Sequence, residues 1–88
     1  MRFDALEIDD HILDKIESRH GVTLDEAEEV CLGVPRVRRG REGLYLIYGQ
    51  TDAGRYLLVV LADAGLGIGR VVTAREMTVA ERRLFGRH

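Results

Sequence analysis

The sequence predicts an α+β fold with two N-terminal helices, a four-stranded antiparallel sheet and a C-terminal helix. Capping-box spacings at Thr23 and Thr78 mark the start of two helices. The segment between these helices contains apolar runs separated by short glycine-containing loops, and strands joined by such short loops must be antiparallel. A chain of 88 residues is long enough for one small core, so residues 1–88 are expected to form a single domain.

The first helix is predicted to begin after Asp9 or Asp10, because either side chain can cap the free N–H groups of a first turn. Gly21 is expected to end it, since glycine adopts the left-handed conformation of a helix C-terminus. Phe3, upstream, either begins a short strand or packs under this helix. The apolar stripe of the helix consists of Ile12, Leu13 and Ile16.

The second helix is predicted from the pair Thr23 and Glu26, which has the spacing of a capping box. Gly33 and Pro35 are expected to end it, because neither residue continues a helix well. Its buried stripe is predicted to contain Leu24, Ala27, Val30 and Cys31.

Four strands are predicted after Pro35. Val37 is placed on an edge strand, where a neighbouring proline is tolerated, and residues 44–48 form the next strand. Residues 55–62 form an apolar run typical of a strand that is buried on both faces. A glycine turn then leads into a return strand over residues 68–74.

The last helix begins at the capping box of Thr78 and Glu81. Arg82 and Arg83 are expected to face solvent. The residues expected to face inward are Val79, Ala80, Leu84 and Phe85.

Charge is distributed unevenly along the chain. The net charge of −2 combines −7 over residues 1–33, from 10 acidic and 3 basic residues, with +5 over residues 34–88. Lys15 is the only lysine among 13 basic residues, and arginine is the side chain that grips phosphate with two hydrogen bonds. A GC-rich genome would also favour arginine over lysine, but it would not explain the uneven distribution. The pattern predicts a basic surface that meets nucleic acid or an acidic partner.

Several classes of protein are disfavoured by composition. The single cysteine, Cys31, permits neither an internal disulfide nor a cysteine-based zinc site, and it fits a reducing compartment. No stretch resembles a signal peptide or approaches the roughly 20 apolar residues that span a bilayer. We therefore expect a cytoplasmic protein with no metal, no cofactor and no membrane partner.

Two ordered sets of residues resemble the BrnT family of toxins. The first is His20-Gly21-Val22 followed by Asp25-Glu26-Ala27 and Glu29-Val30. The second is the run from Gly54 to Val60, followed by Val71 to Arg75 and by Thr78-x-x-Glu81-Arg82-Arg83. Together they extend the resemblance over about residues 8–86.

The resemblance implies a fold like that of the RelE ribonucleases and an activity against RNA. It also implies a BrnA-like antitoxin partner that would neutralise the chain in a type II toxin–antitoxin hetero-oligomer. An alternative interpretation is a catalytically inactive RelE-fold module that binds an antitoxin or another partner, which the acidic helices and Glu76 favour.

RNA cleavage without a metal begins with attack of the 2′-hydroxyl on the adjacent phosphorus, and the enzyme must stabilise the added negative charge. Arg70 and Arg75 are our candidate catalytic residues for that role. They are an odd number of positions apart, so strict alternation would send them to opposite faces. His20 is the candidate general acid or base, because imidazole titrates near neutrality.

RNA binding is assigned to two further sets of arginines. Arg55 and Arg83 would hold phosphates that flank the cleaved bond, and the run from Arg36 to Arg41 would form a phosphate-contacting loop. The candidates within that run are Arg38, Arg39 and Arg41.

Each of these positions also has a purely structural interpretation. Arg75 could pair with Glu76 or Glu81, and Arg70 could be a solvated strand residue. His20 could simply support the end of the first helix.

Overall fold

The structure, a computed structural model, describes residues 2–86 and contains one sheet with helices on both of its faces within that range. The helices are α1 Asp10–His20, α2 Leu24–Leu32 and α3 Val79–Gly86. The strands are β1 Ala5–Glu7, β2 Arg36–Arg39, β3 Leu44–Gln50, β4 Tyr56–Asp63 and β5 Ile68–Glu76.

The sheet has the order β1-β5-β4-β3-β2. Strands β2 to β5 pair antiparallel in succession, which confirms the predicted four-stranded antiparallel sheet. The sheet is larger than predicted by one strand, because β1 pairs in parallel with β5 and makes the whole sheet mixed. Phe3 lies just before this added strand, and its ring is buried against Tyr45.

The main core lies between the sheet and the two N-terminal helices. We call this side of the sheet the helix face. Gly49 of β3 lies directly under Val30 of α2, and a Cβ at Gly49 would come within 2.9 Å of the valine Cγ1. The buried residues on this face of the strands are Tyr45, Ile47, Leu57, Val59, Leu61, Val71 and Ala74.

The predicted helix boundaries are confirmed in the first half of the chain. The carboxylate of Asp9 accepts a hydrogen bond from the His11 N–H, and Gly21 ends α1 with a φ of 62°. Thr23 and Glu26 form both hydrogen bonds of a capping box at the start of α2. Cys31 is buried in the core, and burial raises the pKa of its thiol to about 12.

Helix α3 packs on the other side of the sheet, which we call the open face. The prediction that Val79, Ala80 and Leu84 face inward is wrong, since Val79 is 65% and Leu84 is 56% exposed and Ala80 is exposed as well. Only one stripe of this short helix meets the sheet. Glu81 and Phe85 form that stripe, because they are four positions apart on one side of the helix.

A bulge in β5 changes which side chains share a face. Val60 pairs with Thr73, but the next residue, Leu61, pairs with Val71, so Val72 is an extra residue in β5. Arg70 and Arg75 therefore both lie on the open face, opposite Ala62 and Leu58 respectively, and the strict alternation expected from the sequence is wrong here.

Within residues 2–86, no helix combines the length and the apolar character needed to cross a membrane.

Candidate nucleic-acid interface

A groove of about 790 Å³ lies between α3 and the strands β2 and β3 on the open face. We call it the α3 groove. Arg36 and Arg38 line one side of it, and Glu81 and Phe85 line the other. Its full lining is Arg36, Val37, Arg38, Tyr48, Glu81, Leu84 and Phe85.

One row of paired residues crosses four strands on the open face, and its first two members, Arg36 and Tyr48, line the groove. Arg36 pairs with Tyr48, Tyr48 with Leu58, and Leu58 with Arg75. Neighbouring strands are about 4.8 Å apart, so the two arginines at the ends of the row are about 14 Å apart at their Cα atoms. Arg38 stands two residues along β2 and so projects from the same face.

The guanidinium groups of β2 and α3 lie against aromatic rings. The Arg36 guanidinium carbon is 5.2 Å from the centroid of Phe85, and that of Arg82 is 4.5 Å from the centroid of Tyr56. Phe85 and Tyr56 in turn meet edge to face at 6.0 Å. Among residues 2–86, no carboxylate forms an ion pair with Arg36, Arg38 or Arg82. Aromatic contacts thus hold Arg36 and Arg82 in place without cancelling their charge.

Arg75 is held by α3. Its Nη1 donates to Glu81 Oε1 at 2.7 Å and to the Glu76 carbonyl at 3.0 Å, and its Nη2 donates to Glu81 Oε2 at 3.0 Å. The hydrogen bonds from Arg75 lower the pKa of Glu81, although burial opposes the shift, and those to Glu81 raise the pKa of Arg75. Arginine has five N–H donors, so the Nε–H and one Nη2–H remain for another acceptor.

Glu81 also completes the capping box of α3. The Thr78 N–H donates to Glu81 Oε1 at 2.8 Å, and the Glu81 N–H donates to the Thr78 hydroxyl at 3.2 Å. This confirms the predicted start of the helix. One carboxylate thus fixes the helix start, Arg75 and one wall of the groove together.

Arg55 lies outside the groove and joins the two N-terminal helices to β4. Its Nη1 donates to both carboxylate oxygens of Glu26 at 2.8 Å and to the Gly21 carbonyl at 2.9 Å. A longer contact of 3.4 Å reaches Glu76. Burial raises the pKa of Glu26, but hydrogen bonds from Thr23 and Arg55 outweigh it and leave the pKa below its usual value. The geometry of Arg55 is that of a structural ion pair.

Arg70 shares the open face with Arg75 but not the groove. It lies opposite Ala62, four residues along β4 from Leu58, which is about 13 Å along the strand. Its Nε donates to Glu7 of β1 at 2.8 Å, so the charge of Arg70 is neutralised at the sheet edge.

The other candidate residues are spread over different parts of the surface. His20 is exposed at the end of α1, on the helix face, with the sheet between it and α3. Arg39 packs on Tyr45, also on the helix face, and Arg41 lies in a short 3-10 turn after β2. Arg83 is exposed on α3. Of the predicted site residues, Arg38 lines the groove, and Arg75 lies beside it, paired with Glu81 of the groove wall.

The candidate residues chosen from the sequence did not include Tyr48, Arg82 or Phe85, and Arg36 was named only as the first residue of the run from Arg36 to Arg41. Arg36 and Arg38 carried a usable signal, because two cations two positions apart on a strand share one face. The aromatic contacts carried none, since they join residues far apart in the chain. Among residues 2–86, no group of three or more His, Cys, Asp or Glu side chains is placed to hold a metal ion.

Sequence comparison finds no matching family model and no matching curated protein. Structure comparison identifies the class first: this is the RelE-like α+β fold. A solved structure that shares it is the ribonuclease toxin BrnT of Brucella abortus, with a TM-score of 0.73 at 16% identity. The match covers 84% of this chain and 96% of the Brucella protein. The resemblance to BrnT toxins is thereby confirmed as a likeness of fold.

Proposed function

We propose that this chain is a ribonuclease toxin of a type II toxin–antitoxin pair, and that it binds single-stranded RNA in the α3 groove. The observation that carries the proposal is the pair of guanidinium groups, Arg36 and Arg38, that face the groove without a carboxylate partner among residues 2–86. Aromatic rings beside unneutralised cations suit a nucleic-acid strand, because bases stack on rings while phosphates bind arginine. The shared fold with a ribonuclease toxin supports the same function.

In this proposal the two arginines of the groove and the neighbouring Arg75 have distinct tasks. Arg36 and Arg38 bind the phosphate next to the attacking 2′-hydroxyl and hold it in line. Arg75 directs its two remaining N–H donors at the oxygen that gains charge in the transition state. Replacing Arg75 with alanine is then expected to lower kcat about 100-fold.

Proton transfer falls to the two other polar side chains of the groove. Glu81 is ionised at neutral pH, since Arg75 lowers its pKa, and it accepts the 2′-hydroxyl proton. The Tyr48 hydroxyl donates to the leaving 5′-oxygen. Neither group needs a metal ion, so the proposed reaction proceeds without one. His20, on the opposite side of the sheet, has no part in it.

The test is cleavage of a single-stranded RNA by the purified protein in EDTA. The proposal predicts products that end in a 2′,3′-cyclic phosphate, because that is the product of 2′-hydroxyl attack. Tyr48→Phe, which removes only the hydroxyl, should slow cleavage about 100-fold, roughly the lower end of what a general acid contributes. Arg19→Ala on α1 is the control and should cleave normally. Intact RNA at high protein concentration would contradict the proposal.

A second function is favoured by the ion pairs. Carboxylates neutralise Arg55, Arg70 and Arg75, as expected of an inactive RelE-fold module that binds a BrnA-like antitoxin or another protein. Expression of the chain alone separates the two functions. Growth arrest that is lost in an Arg36→Ala, Arg38→Ala double variant supports the toxin. Normal growth at an equal level of folded protein supports the inactive module.

A further inference from the structure

The open face carries a second surface, beyond the end that α3 covers. It consists of aliphatic side chains on the three central strands, next to one threonine. None of them belongs to the core or to the residues packed against it. We call this surface the aliphatic patch: Leu44, Leu46, Val60, Ala62, Val72 and Thr73.

The patch lies on and beside β4, the strand whose sequence predicts burial on both faces. In an antiparallel sheet with one solvated face, polar residues normally alternate with apolar ones. Here β4 is apolar on both faces, and the helices α1 and α2 cover only one of them. Val72 is 39% exposed, and the other members of the patch are partly exposed. Contiguous apolar surface of this kind on a small protein marks a contact site.

Charge at the margin of the patch indicates what covers it. Strands β2 to β5 place four arginines and no carboxylate on the open face. Arg70 is neutralised by Glu7 and Arg75 by Glu81, which leaves the β2 margin positive through Arg36 and Arg38. A second copy of this patch would bring like charges together, whereas an acidic partner would complement them.

The side chains of the patch distinguish a protein from a nucleic acid. All of its apolar members are aliphatic, whereas the rings on which bases could stack, Tyr48 and Phe85, line the α3 groove. Branched aliphatic side chains on a sheet suit the apolar stripe of a helix, as α2 on the helix face illustrates. We propose that the aliphatic patch binds an amphipathic helix of a partner protein, with acidic residues along the flank that faces β2.

The dimensions of the patch define the partner segment. The patch extends over three strands, and the distance from β2 to β5 is about 14 Å. A helix of three turns, about 11 residues, is long enough to cross it. The aliphatic patch lies outside the α3 groove, and its margin shares with the groove only the arginines of β2. The inference does not require that the chain cleave RNA.

The experiment uses a labelled synthetic peptide with leucine and alanine along one side of a helix and glutamate along one flank. Fluorescence anisotropy measures its binding to the full chain. Binding should weaken at least tenfold in Leu46→Glu and in Val72→Glu, because each variant places a charge against the apolar stripe. The matched control is Leu66→Glu, at a fully exposed turn residue away from the patch. It should bind like the wild type.

Charge reversal tests the orientation of the partner. Arg38→Glu should weaken binding of the glutamate peptide and strengthen binding of the same peptide with lysine in place of glutamate. A scrambled peptide of equal composition, which has no apolar stripe, should bind neither protein. Val72→Glu should leave RNA cleavage unchanged. Peptide binding to the patch is therefore tested independently of the ribonuclease activity.

Four outcomes would overturn the inference. One is no binding of the glutamate peptide to the wild type, and another is equal binding to Leu46→Glu and Leu66→Glu. A dimer in sedimentation that Val72→Glu dissociates would assign the patch to a second copy. Single-stranded RNA whose affinity falls in Val72→Glu but not in Leu66→Glu would assign it to nucleic acid.

Discussion

Arg55, just before β4, and the arginines of β5 differ from Arg36 of β2 and Arg82 of α3 in what they touch. Arg55, Arg70 and Arg75 each donate to a carboxylate at 2.8 Å or less. Arg36 and Arg82 lie over aromatic rings. The first group joins separate elements of the fold, while the second keeps its charge at the surface.

This difference indicates that the number of arginines in a region does not by itself show where a phosphate binds. The charge of a guanidinium that is paired with a carboxylate is cancelled by its partner, and a phosphate must compete with the carboxylate for the N–H donors. A guanidinium on a ring retains its charge, because the ring carries no net charge of its own. We therefore expect phosphate to bind where the rings are. Four predictions follow the contrast from the largest expected effect to the smallest.

The largest effect is expected in the Arg36→Ala, Arg38→Ala double variant. RNA cleavage should fall about 1,000-fold, which corresponds to about 4 kcal/mol of transition-state stabilisation. Initial rates under kcat/KM conditions measure it. The matched control is the Lys15→Ala, Arg19→Ala double variant, which removes two cations from α1 on the opposite side of the sheet. An equal loss in both double variants would mean that only overall charge matters.

Arg55 tests whether the arginines that pair with carboxylates stabilise the fold. Arg55→Ala should lower the free energy of unfolding by about 1–2 kcal/mol, since Glu26 and the Gly21 carbonyl lose their donor. Urea denaturation measures the change. RNA cleavage by the folded protein should stay within about threefold of the wild-type rate, which corresponds to about 0.7 kcal/mol of activation free energy. Arg55→Lys keeps the positive charge but loses the planar guanidinium group with its several donors. Its free energy of unfolding should therefore lie between those of the wild type and Arg55→Ala. Unchanged stability with lost cleavage would place Arg55 in the RNA site.

The ion pair of Glu81 predicts how the stability of the protein depends on pH. The folded-state pKa of Glu81 lies below its ordinary value of 4.5, so the folded chain releases this proton more readily than the unfolded one. The resulting stability is present above pH 4.5 and is lost as the pH falls through the folded pKa. The stability difference between wild type and Glu81→Gln should therefore shrink on acidification. In an Arg75→Ala background, the effect of Glu81→Gln on stability should vary less with pH, because the hydrogen bonds from Arg75 that lower the Glu81 pKa are gone. Identical pH profiles in both backgrounds would contradict the pairing.

The smallest effect is expected at Arg82. Arg82→Ala removes the contact with Tyr56 and should lower the free energy of unfolding by about 0.5 kcal/mol. Arg83→Ala, its neighbour on the same helix, is the control and should change stability less. Equal losses would mean that the ring contact adds nothing to the anchoring of α3.

The parts of the fold that depend on local chemistry could be predicted from the sequence. Thr23 with Glu26, and Thr78 with Glu81, begin helices because a capping box satisfies N–H groups within four residues. The hairpins from β2 to β5 follow from short glycine loops in the same way.

The rest depends on contacts between distant residues. Strand β1 has three residues and pairs with a strand more than 60 positions away, so the sequence raised a short strand near Phe3 only as one of two alternatives. The bulge at Val72 reverses the alternation of β5 and with it the predicted faces of Arg70 and Arg75. The pairing of Arg75 with Glu81 was one of the open alternatives, but sequence could not distinguish it from a phosphate contact. Which arginines are neutralised is therefore a property of the folded chain.

The central claim is that RNA binding depends on Arg36 and Arg38 of the α3 groove and not on the arginines paired with carboxylates, of which only Arg75 has a role, in the transition state. The most direct measurement is the salt dependence of binding for a single-stranded RNA that carries a 2′-deoxy nucleotide at the cleavage position. For the Arg36→Ala, Arg38→Ala double variant we predict that the slope of log K against log salt falls in magnitude by about 1.4, or about 0.7 per lost phosphate contact. For Arg70→Ala we predict no change in slope. A reduced slope in Arg70→Ala with an unchanged slope in the double variant would contradict the account.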